Sequence, residues 1–506
     1  MTISSPSGRV FQTDRKLMFS ARFVVLTIVS AIFSSTQSLS AIAQSKPISP
    51  TVSKSQTVQL PDSLNPSPNP LDLPTSPEQV RSQQAQPITL QQAIALARKN
   101  NRDLQIARQT LQRSQAALRQ VQAAQLPTLN TQAEIANERT ARETLDDLKY
   151  LNEKSSPANV LSGTIEVGYD IFTAGRRPAR IRSAQEQVRL ERLEVERLSE
   201  QTRLDVTNTY YDLQETDEQV RISQAAVTNA RRSLQDAISL EEGGLGTGFD
   251  VVRARVQLGN AEQELIDAQS QQDIARRRLV ELLSLSETVD VSAADPVRQA
   301  GRWTLSLEDS ILLAYKNRVE LQQQLAQRRI AQQQRRIALA GVRPQVSLFA
   351  NYQILDDFND EFSFKDGYAA GARLRWNFFD GGAARFAAAQ ERNNRAIAET
   401  RFAQTRNQVR FQVEQGYKSL QANARSIQTA SAALQQAQLG LETARVRFQG
   451  GVGTQLDVIS AENDLTRAQV NRLNAILNYN RALATLQRAV SDLSRRNSSA
   501  SQTNSK

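Results

Sequence analysis

Residues 243–251 read Gly-Gly-Leu-Gly-Thr-Gly-Phe-Asp-Val, and residues 450–458 read Gly-Gly-Val-Gly-Thr-Gln-Leu-Asp-Val. The two stretches lie 207 positions apart and share glycines, threonine, aspartate and valine in the same places. Each reads as a helix stop followed by a helix start. Paired glycines favour the left-handed turn that ends a helix. Thr247-x-x-Asp250 and Thr454-x-x-Asp457 then form capping boxes that open the next helix. Outward from these turns the chain repeats itself. Gly175 matches Gly382 at the same offset; Leu90, Ile94, Ala97, Asn100, Leu104 and Pro127 match Leu307, Ile311, Ala314, Asn317, Leu321 and Pro344 at an offset of 217. One ten-residue length difference reconciles the two offsets. The folded part is two tandem copies, 88–285 and 305–495, joined by a linker at 286–304. A period near 200 residues is a duplicated domain, not a solenoid.

Both copies carry the same plan. A helix opens at Thr89-x-x-Gln92 or Ser306-x-x-Asp309 and runs to just before Pro127 or Pro344, because the residue before proline avoids helical geometry. The hydrophobic period then changes to two. Leu129, Thr131, Ala133 and Ile135 alternate with polar residues, as do Val346, Leu348, Ala350, Tyr352 and Ile354. After a polar loop come Ile165, Val167, Tyr169 and Ile171, and Ala372, Leu374, Trp376 and Phe378. These are β-hairpins at about 128–172 and 345–379, apolar on one face and charged on the other through Glu166, Asp170, Arg373 and Arg375. Strands near ten residues are long enough to cross a bilayer when tilted, and a charged second face suits a water-filled lumen. Long helices follow at about 177–242 and 383–449, roughly 100 Å at 1.5 Å per residue. They are rich in Ala, Gln, Arg and Glu, so they pack along narrow seams. A return helix closes each copy. The fold class is mainly α with β, a duplicated helix–β-hairpin–long helix–helix unit. Four strands cannot close a barrel and an open edge is not tolerated in lipid, so several chains must pool them; eight strands from two chains or twelve from three are both allowed.

Composition narrows the chemistry. The 506 residues contain no cysteine and no histidine. This excludes disulfides, thiolate nucleophiles, imidazole bases and Cys/His metal sites. The chain is read as having no enzymatic activity and no cofactor. Arg9, Arg15, Lys16 and Arg22 precede an apolar run from Phe23 to Phe33 that ends in Ala41-Ile42-Ala43. This is a secretory signal at 1–43; the run is too short to span a membrane as a helix. Removing it lowers the formal charge from +10 to +7. Export, and arginines scattered without stacking aromatics, argue against nucleic acid as a partner. Nine prolines between Pro47 and Pro87 make 44–87 a disordered linker, and 496–506 is a Ser/Asn/Gln tail.

The duplicated plan, the signal segment, the two turn motifs and the strand ends Tyr169-Asp170-Ile171-Phe172-x-x-Gly175 and Trp376-Asn377-Phe378-Phe379-Asp380-Gly381-Gly382 together resemble the TolC family of outer-membrane efflux and type I secretion channels. The resemblance covers 88–495. It implies a homotrimer whose chains share a 12-stranded β-barrel among outer-membrane lipid, joined to a long α-helical barrel crossing the periplasm of a Gram-negative cell and gated at its tip. It also implies docking onto a periplasmic adaptor (membrane fusion) protein and an inner-membrane RND or ABC transporter. A periplasmic adaptor or a coiled-coil scaffold is the alternative, though neither needs two copies of a two-faced hairpin.

Within that picture Asp250 and Asp457 are the candidate gate residues, gathered by symmetry into a carboxylate cluster that attracts cations. The same residues equally read as helix caps. Three residues after Asp457, where the family can carry a second gate aspartate, this chain has Ser460. Gly246, Thr247, Gly453 and Thr454 are the candidate adaptor-docking turns. Tyr169, Trp376 and Phe378 are the candidate membrane-interface aromatics. Two further stretches are set aside. Gly243–Gly248 follows a helix and lacks the P-loop lysine, and the acidic run at 356–361 lacks EF-hand spacing and reads as a solvated hairpin loop.

Overall fold

The computed structural model describes residues 64, 65, 69, 71, 73–81, 85–138, 158–357 and 364–491. The signal segment, much of the proline-rich stretch, the C-terminal tail and residues 358–361 of the acidic loop lie outside them.

The described chain runs α1 (Pro77–Val80), β1 (Gln86–Ile88), α2 (Leu90–Asn100), α3 (Arg102–Ala123), β2 (Thr128–Glu138), β3 (Ala158–Phe172), α4 (Arg176–Glu242) and α5 (Gly248–Leu283). It continues β4 (Val291–Ala293), α6 (Leu307–Asn317), α7 (Val319–Ala340), β5 (Gln345–Asp357), β6 (Lys365–Arg375), α8 (Ala383–Gln449) and α9 (Gln455–Val490). From α2 onward the second half repeats the first element for element. α4 and α8 are each 67 residues and α5 and α9 each 36. At 1.5 Å per residue the long helices reach roughly 100 Å.

Each copy opens as its capping residues dictate. Thr89 Oγ1 accepts from Gln92 N at 3.2 Å while Thr89 N donates to Gln92 Oε1 at 2.9 Å. Ser306 Oγ accepts from Asp309 N at 3.0 Å. The single helix expected next is in fact two. Asn101 takes an extended backbone and its side chain accepts from Leu104 N at 3.0 Å, ending α2 and capping α3. A short polar side chain that bonds its own backbone competes with helix continuation. Arg318 makes the equivalent break between α6 and α7.

The expectation of disorder up to residue 87 is corrected as well. β1 pairs in parallel with β4, with Gln86 opposite Val291 and Ile88 opposite Ala293. Ile88 and Leu64 are buried in a core with Leu96, Tyr210, Leu279 and Leu477. Tyr210 Oη lies 3.0 Å from the Ile88 carbonyl and 2.9 Å from Asp295 Oδ2, two acceptors that share its single proton. Three residues are too few to show an alternation, so burial and one tyrosine decide this strand. A second core joins α6 to α8 and α9 through Ala314, Val413, Tyr479 and Leu486.

The four long strands form one antiparallel sheet in the order β2-β3-β5-β6. The two hairpins meet at β3 and β5. Register puts Thr131, Ile165 and Tyr352 in one row, and Ala133, Gly163 and Ile354 in the next. Leu348 sits beside Tyr169 and Ala372. The apolar parities of the four strands therefore fall on one face, except that a bulge between Asp170 and Phe172 shifts the end of β3, so Phe172 rather than the expected Ile171 pairs with Val346. The opposite face carries Gln132, Glu134, Glu166, Gln353, Arg373 and Arg375. Among the described residues no second layer covers either face: on the apolar one Ile135 is 72% and Tyr368 87% exposed, and β6 is exposed on both faces along its length. β2 and β6 each keep one unpaired edge in this sheet.

The long helices pair as antiparallel hairpins, α4 with α5 and α8 with α9, while α7 and α9 also pack on α4. Their seams are narrow. Val227, Ala230 and Ala261 fill one, and Ala237, Val251 and Ala254 another. A Cβ on Gly416 would sit 3.4 Å from Leu486 Cα, the close approach that a small-residue seam permits.

Candidate functional site

At one end of the described fold, helix pairs turn back on themselves. After α4, the N–H groups of Leu245 and Gly246 both donate to the Leu240 carbonyl, at 2.8 and 2.9 Å, and Gly244 adopts φ +72°. After α8, Val452 N donates to Arg447 O at 2.9 Å and Gly451 adopts φ +68°. Side chains other than glycine are strained there. A Cβ on Gly246 would lie 3.1 Å from Glu241 N, and one on Gly453 3.1 Å from Phe448 N. These contacts are to backbone, which leaves little room to yield.

Thr247 and Thr454 close the turns. Asp250 Oδ2 accepts from Thr247 Oγ1 at 2.6 Å and Thr247 N at 3.3 Å. Asp457 Oδ2 accepts from Thr454 Oγ1 at 2.8 Å and Thr454 N at 2.9 Å. Both aspartates thus sit in complete capping boxes. The Thr454 backbone N–H and hydroxyl hold the Asp457 carboxyl below its ordinary range.

Sequence reading missed two features of these turns. Leu245 and Val452, and next to them Phe249 and Leu456, are strongly exposed apolar side chains. They occupy the same positions in the two copies, and that recurrence in an otherwise polar turn was the available signal. The Arg253 guanidinium lies 4.3 Å from the Phe249 ring centroid. The second feature is a set of polar links between the helix pairs. Gln455 Nε2 donates to Ser233 Oγ at 2.8 Å and Gln257 Nε2 to Asn463 Oδ1 at 2.9 Å. Arg445 donates across the pairs to Asn229 Oδ1 at 3.1 Å and, within its own pair, to Glu462 Oε1 at 3.0 Å. Burial raises the Glu462 carboxyl above its ordinary value, against the pull of Arg445. Links such as Gln455–Ser233 join residues more than 200 positions apart, so no local pattern announces them.

The three candidate interface aromatics gather where the sheet gives way to the long helices. Tyr169 is near the end of β3, with the Arg177 guanidinium 5.4 Å from its ring centroid. Trp376 and Phe378 lie beyond β6, which ends at Arg375 rather than continuing to 379. Trp376 Nε1 donates to the Val342 carbonyl at 3.2 Å, and its ring meets Phe378 edge-on at 5.5 Å. These contacts turn the chain out of the sheet. Phe172 and Phe379 are exposed at the same end and extend the aromatic set. Among the described residues no group of three or more Asp or Glu could hold a metal ion, and no helix is long and apolar enough to cross a membrane.

Comparison with known proteins places this geometry. Residues 93–284 and 311–491 match the family described as outer membrane efflux protein. The cobalt-zinc-cadmium resistance protein CzcC of Cupriavidus metallidurans is 26% identical over 198 residues, which cover 39% of this chain and 43% of that protein's length. The solved outer membrane protein VceC from Vibrio cholerae superposes with a TM-score of 0.69 at 20% identity, over 79% of this chain and 95% of its own. The CmeC outer membrane channel of Campylobacter jejuni gives 0.70 at 16% identity, over 85% and 94%.

Proposed function

Since the chain belongs to the outer membrane efflux protein family, we propose that it is the exit duct of a tripartite efflux pump or type I secretion system, a passive conduit through the outer membrane and the periplasm. The observation that carries this reading is the four-stranded sheet, with one continuous apolar face, one charged face and two unpaired edges, running directly into helices of 67 residues. An unpaired edge in hydrocarbon leaves backbone groups unsatisfied, so β2 of one copy pairs with β6 of the next. Three copies close a barrel of twelve strands, with apolar residues toward lipid and Glu166, Arg373 and Arg375 toward the lumen. The exposed aromatics beside the helices, Tyr169, Trp376 and Phe378, mark the periplasmic lipid boundary. An adaptor or scaffold would leave the apolar face of the sheet without a role.

The helical turns at the far end form the periplasmic entrance. Gly246, Thr247, Gly453 and Thr454 dock a periplasmic adaptor protein, with Leu245 and Val452 as apolar contacts, and an RND or ABC transporter of the inner membrane drives the flow. The transporter selects the cargo; the name of the CzcC relative makes divalent metal ions the first class to test.

Asp250 and Asp457 serve the entrance twice, as caps through Oδ2 and as a ring of negative charge. Replacing both with Asn keeps an oxygen to accept the capping bonds and removes the charge. In single-channel recordings the wild-type protein is expected to prefer cations several-fold and the double variant to lose that preference, because fixed carboxylates set selectivity at a constriction. Unchanged selectivity would leave the two aspartates with the capping role alone.

A further inference from the structure

At the joint where α7 begins beside the end of α9, two arginines are buried together. Arg318 is 6% and Arg488 7% exposed. Both turn to one carboxylate. Glu320 accepts from Arg318 Nε at 2.9 Å and Nη2 at 3.1 Å, and from Arg488 Nη2 at 2.8 Å. Arg318 Nη1 donates to the Ala489 carbonyl at 3.3 Å. Two guanidiniums against one carboxylate leave a surplus positive charge. It sits on Arg488, whose Nε and Nη1 are buried and have no hydrogen-bond partner among the described residues. Unpaired buried charge is strongly unfavourable, so such a group calls for a counter-ion.

A cavity of about 370 Å3 adjoins these groups. Besides Arg318, Glu320 and Arg488 it is lined by Arg197 and by uncharged side chains that can donate, among them Gln412 and Thr485. Arg197 is already satisfied by Glu194, at 2.8 and 2.6 Å. Nearby Glu200, itself buried, is paired with Arg203 at 3.1 Å. Glu196 lies on the exposed side of α4 and does not line the cavity. Among the described residues Glu320 is therefore the one carboxylate on the wall, and the wall is otherwise cationic and donor-rich.

We propose that this cavity is an oxyanion site: a small dianion, inorganic such as sulfate or phosphate or a short dicarboxylate, accepts from an unpaired guanidinium nitrogen of Arg488 and from wall donors such as Gln412 and Thr485, and offsets the surplus charge at the α7–α9 joint. Nε and Nη1 point to different sides of the guanidinium, so the ion takes one charge-assisted bond from Arg488 and its further donors from the wall. All the lining residues named belong to one chain, so the site is defined without reference to the proposed channel assembly.

The test is calorimetric titration of the full-length, detergent-solubilised protein with sodium sulfate and, in parallel, with sodium succinate, against sodium chloride at matched ionic strength. Saturable binding at one site per chain is expected for at least one of the two dianions, and the tighter of them identifies the inorganic or the carboxylate source. Arg488→Gln is expected to weaken it roughly ten- to hundredfold, the range for losing a charged hydrogen-bond donor. Gln412→Glu, which supplies a carboxylate from the wall itself, is expected to abolish it without lowering the unfolding temperature in chloride. If Arg488→Gln fails to assemble, Gln412→Glu carries the test alone. Heat indistinguishable from chloride for both dianions, or equal binding by wild type and Gln412→Glu, would overturn the proposal.

Discussion

Ile165→Arg is expected to remove most folded protein from the outer-membrane fraction, while Thr164→Arg, one position away on β3, leaves the amount nearly unchanged. Ile165 stands in a row with Thr131 and Tyr352, on the face that also carries Leu129, Val167 and Leu348. Thr164 pairs with Gln132 and Gln353 on the opposite face. If the apolar face meets lipid, an arginine there costs about 2–4 kcal/mol near the bilayer midplane, and every chain of a symmetric assembly carries that penalty. On the lumen face the same side chain remains hydrated. Quantifying the protein in separated membrane fractions distinguishes the cases. Equal tolerance of both variants would mean that both faces of the sheet meet water, where surface substitutions usually change stability by about 0.5 kcal/mol or less.

Glu320→Ala is expected to be the most destabilising single change at the helix joints. It leaves Arg318 and Arg488 buried with their shared carboxylate gone, and breaking a buried pair from one side costs about 3–5 kcal/mol. The involved side chains are only 7%, 18% and 8% exposed, so solvent screening removes little of this. The effect also has a definite pH signature. Burial alone would raise the Glu320 carboxyl, but Arg318 and Arg488 more than offset it and hold it below its ordinary value of 4.5. A carboxyl whose folded pKa is depressed binds fewer protons in the native state. Its stabilisation is complete above 4.5 and is lost as the pH falls through the lower folded value. Glu462 has the opposite sign: its raised carboxyl favours the fold fully below 4.5 and loses that contribution as the pH rises through the higher folded value. Denaturant unfolding of the solubilised protein should therefore show a wild-type advantage over Glu320→Ala that is large at neutral pH and shrinks in acid below 4.5. A difference under about 1 kcal/mol at neutral pH would mean that the triad behaves like an exposed ion pair.

The sequence carries the parts of this fold that repeat over many residues. A two-residue alternation across four strands fixes which face is apolar, because a one-residue slip would reverse every side chain. The glycine pairs and capping boxes locate the ends of α4 and α8 and the starts of α5 and α9 to within about a residue or two, as cap chemistry does. What escaped the sequence depends on single contacts. No proline or glycine marks the breaks at Asn101 and Arg318; a side-chain cap makes one, and a buried guanidinium sits at the other. β1 exists because Ile88 reaches a core and Tyr210 reaches its carbonyl. Trp376 and Phe378 continue the strand alternation in sequence yet leave the sheet, because the indole bonds to Val342 and the rings pack on each other. The triad of Arg318, Glu320 and Arg488 joins residues 168 positions apart, and nothing near either end of the chain segment announces it.

In the proposed assembly the sheet of one chain is a fraction of a closed barrel in the outer membrane. The most direct test is the protein mass of the complex extracted by mild detergent from separated outer membranes, measured by light scattering with the detergent contribution subtracted. A complex of three chains in the outer-membrane fraction is expected. A monomer released without detergent would contradict it, because two unpaired strand edges and an uncovered apolar face would then have no partner and no lipid.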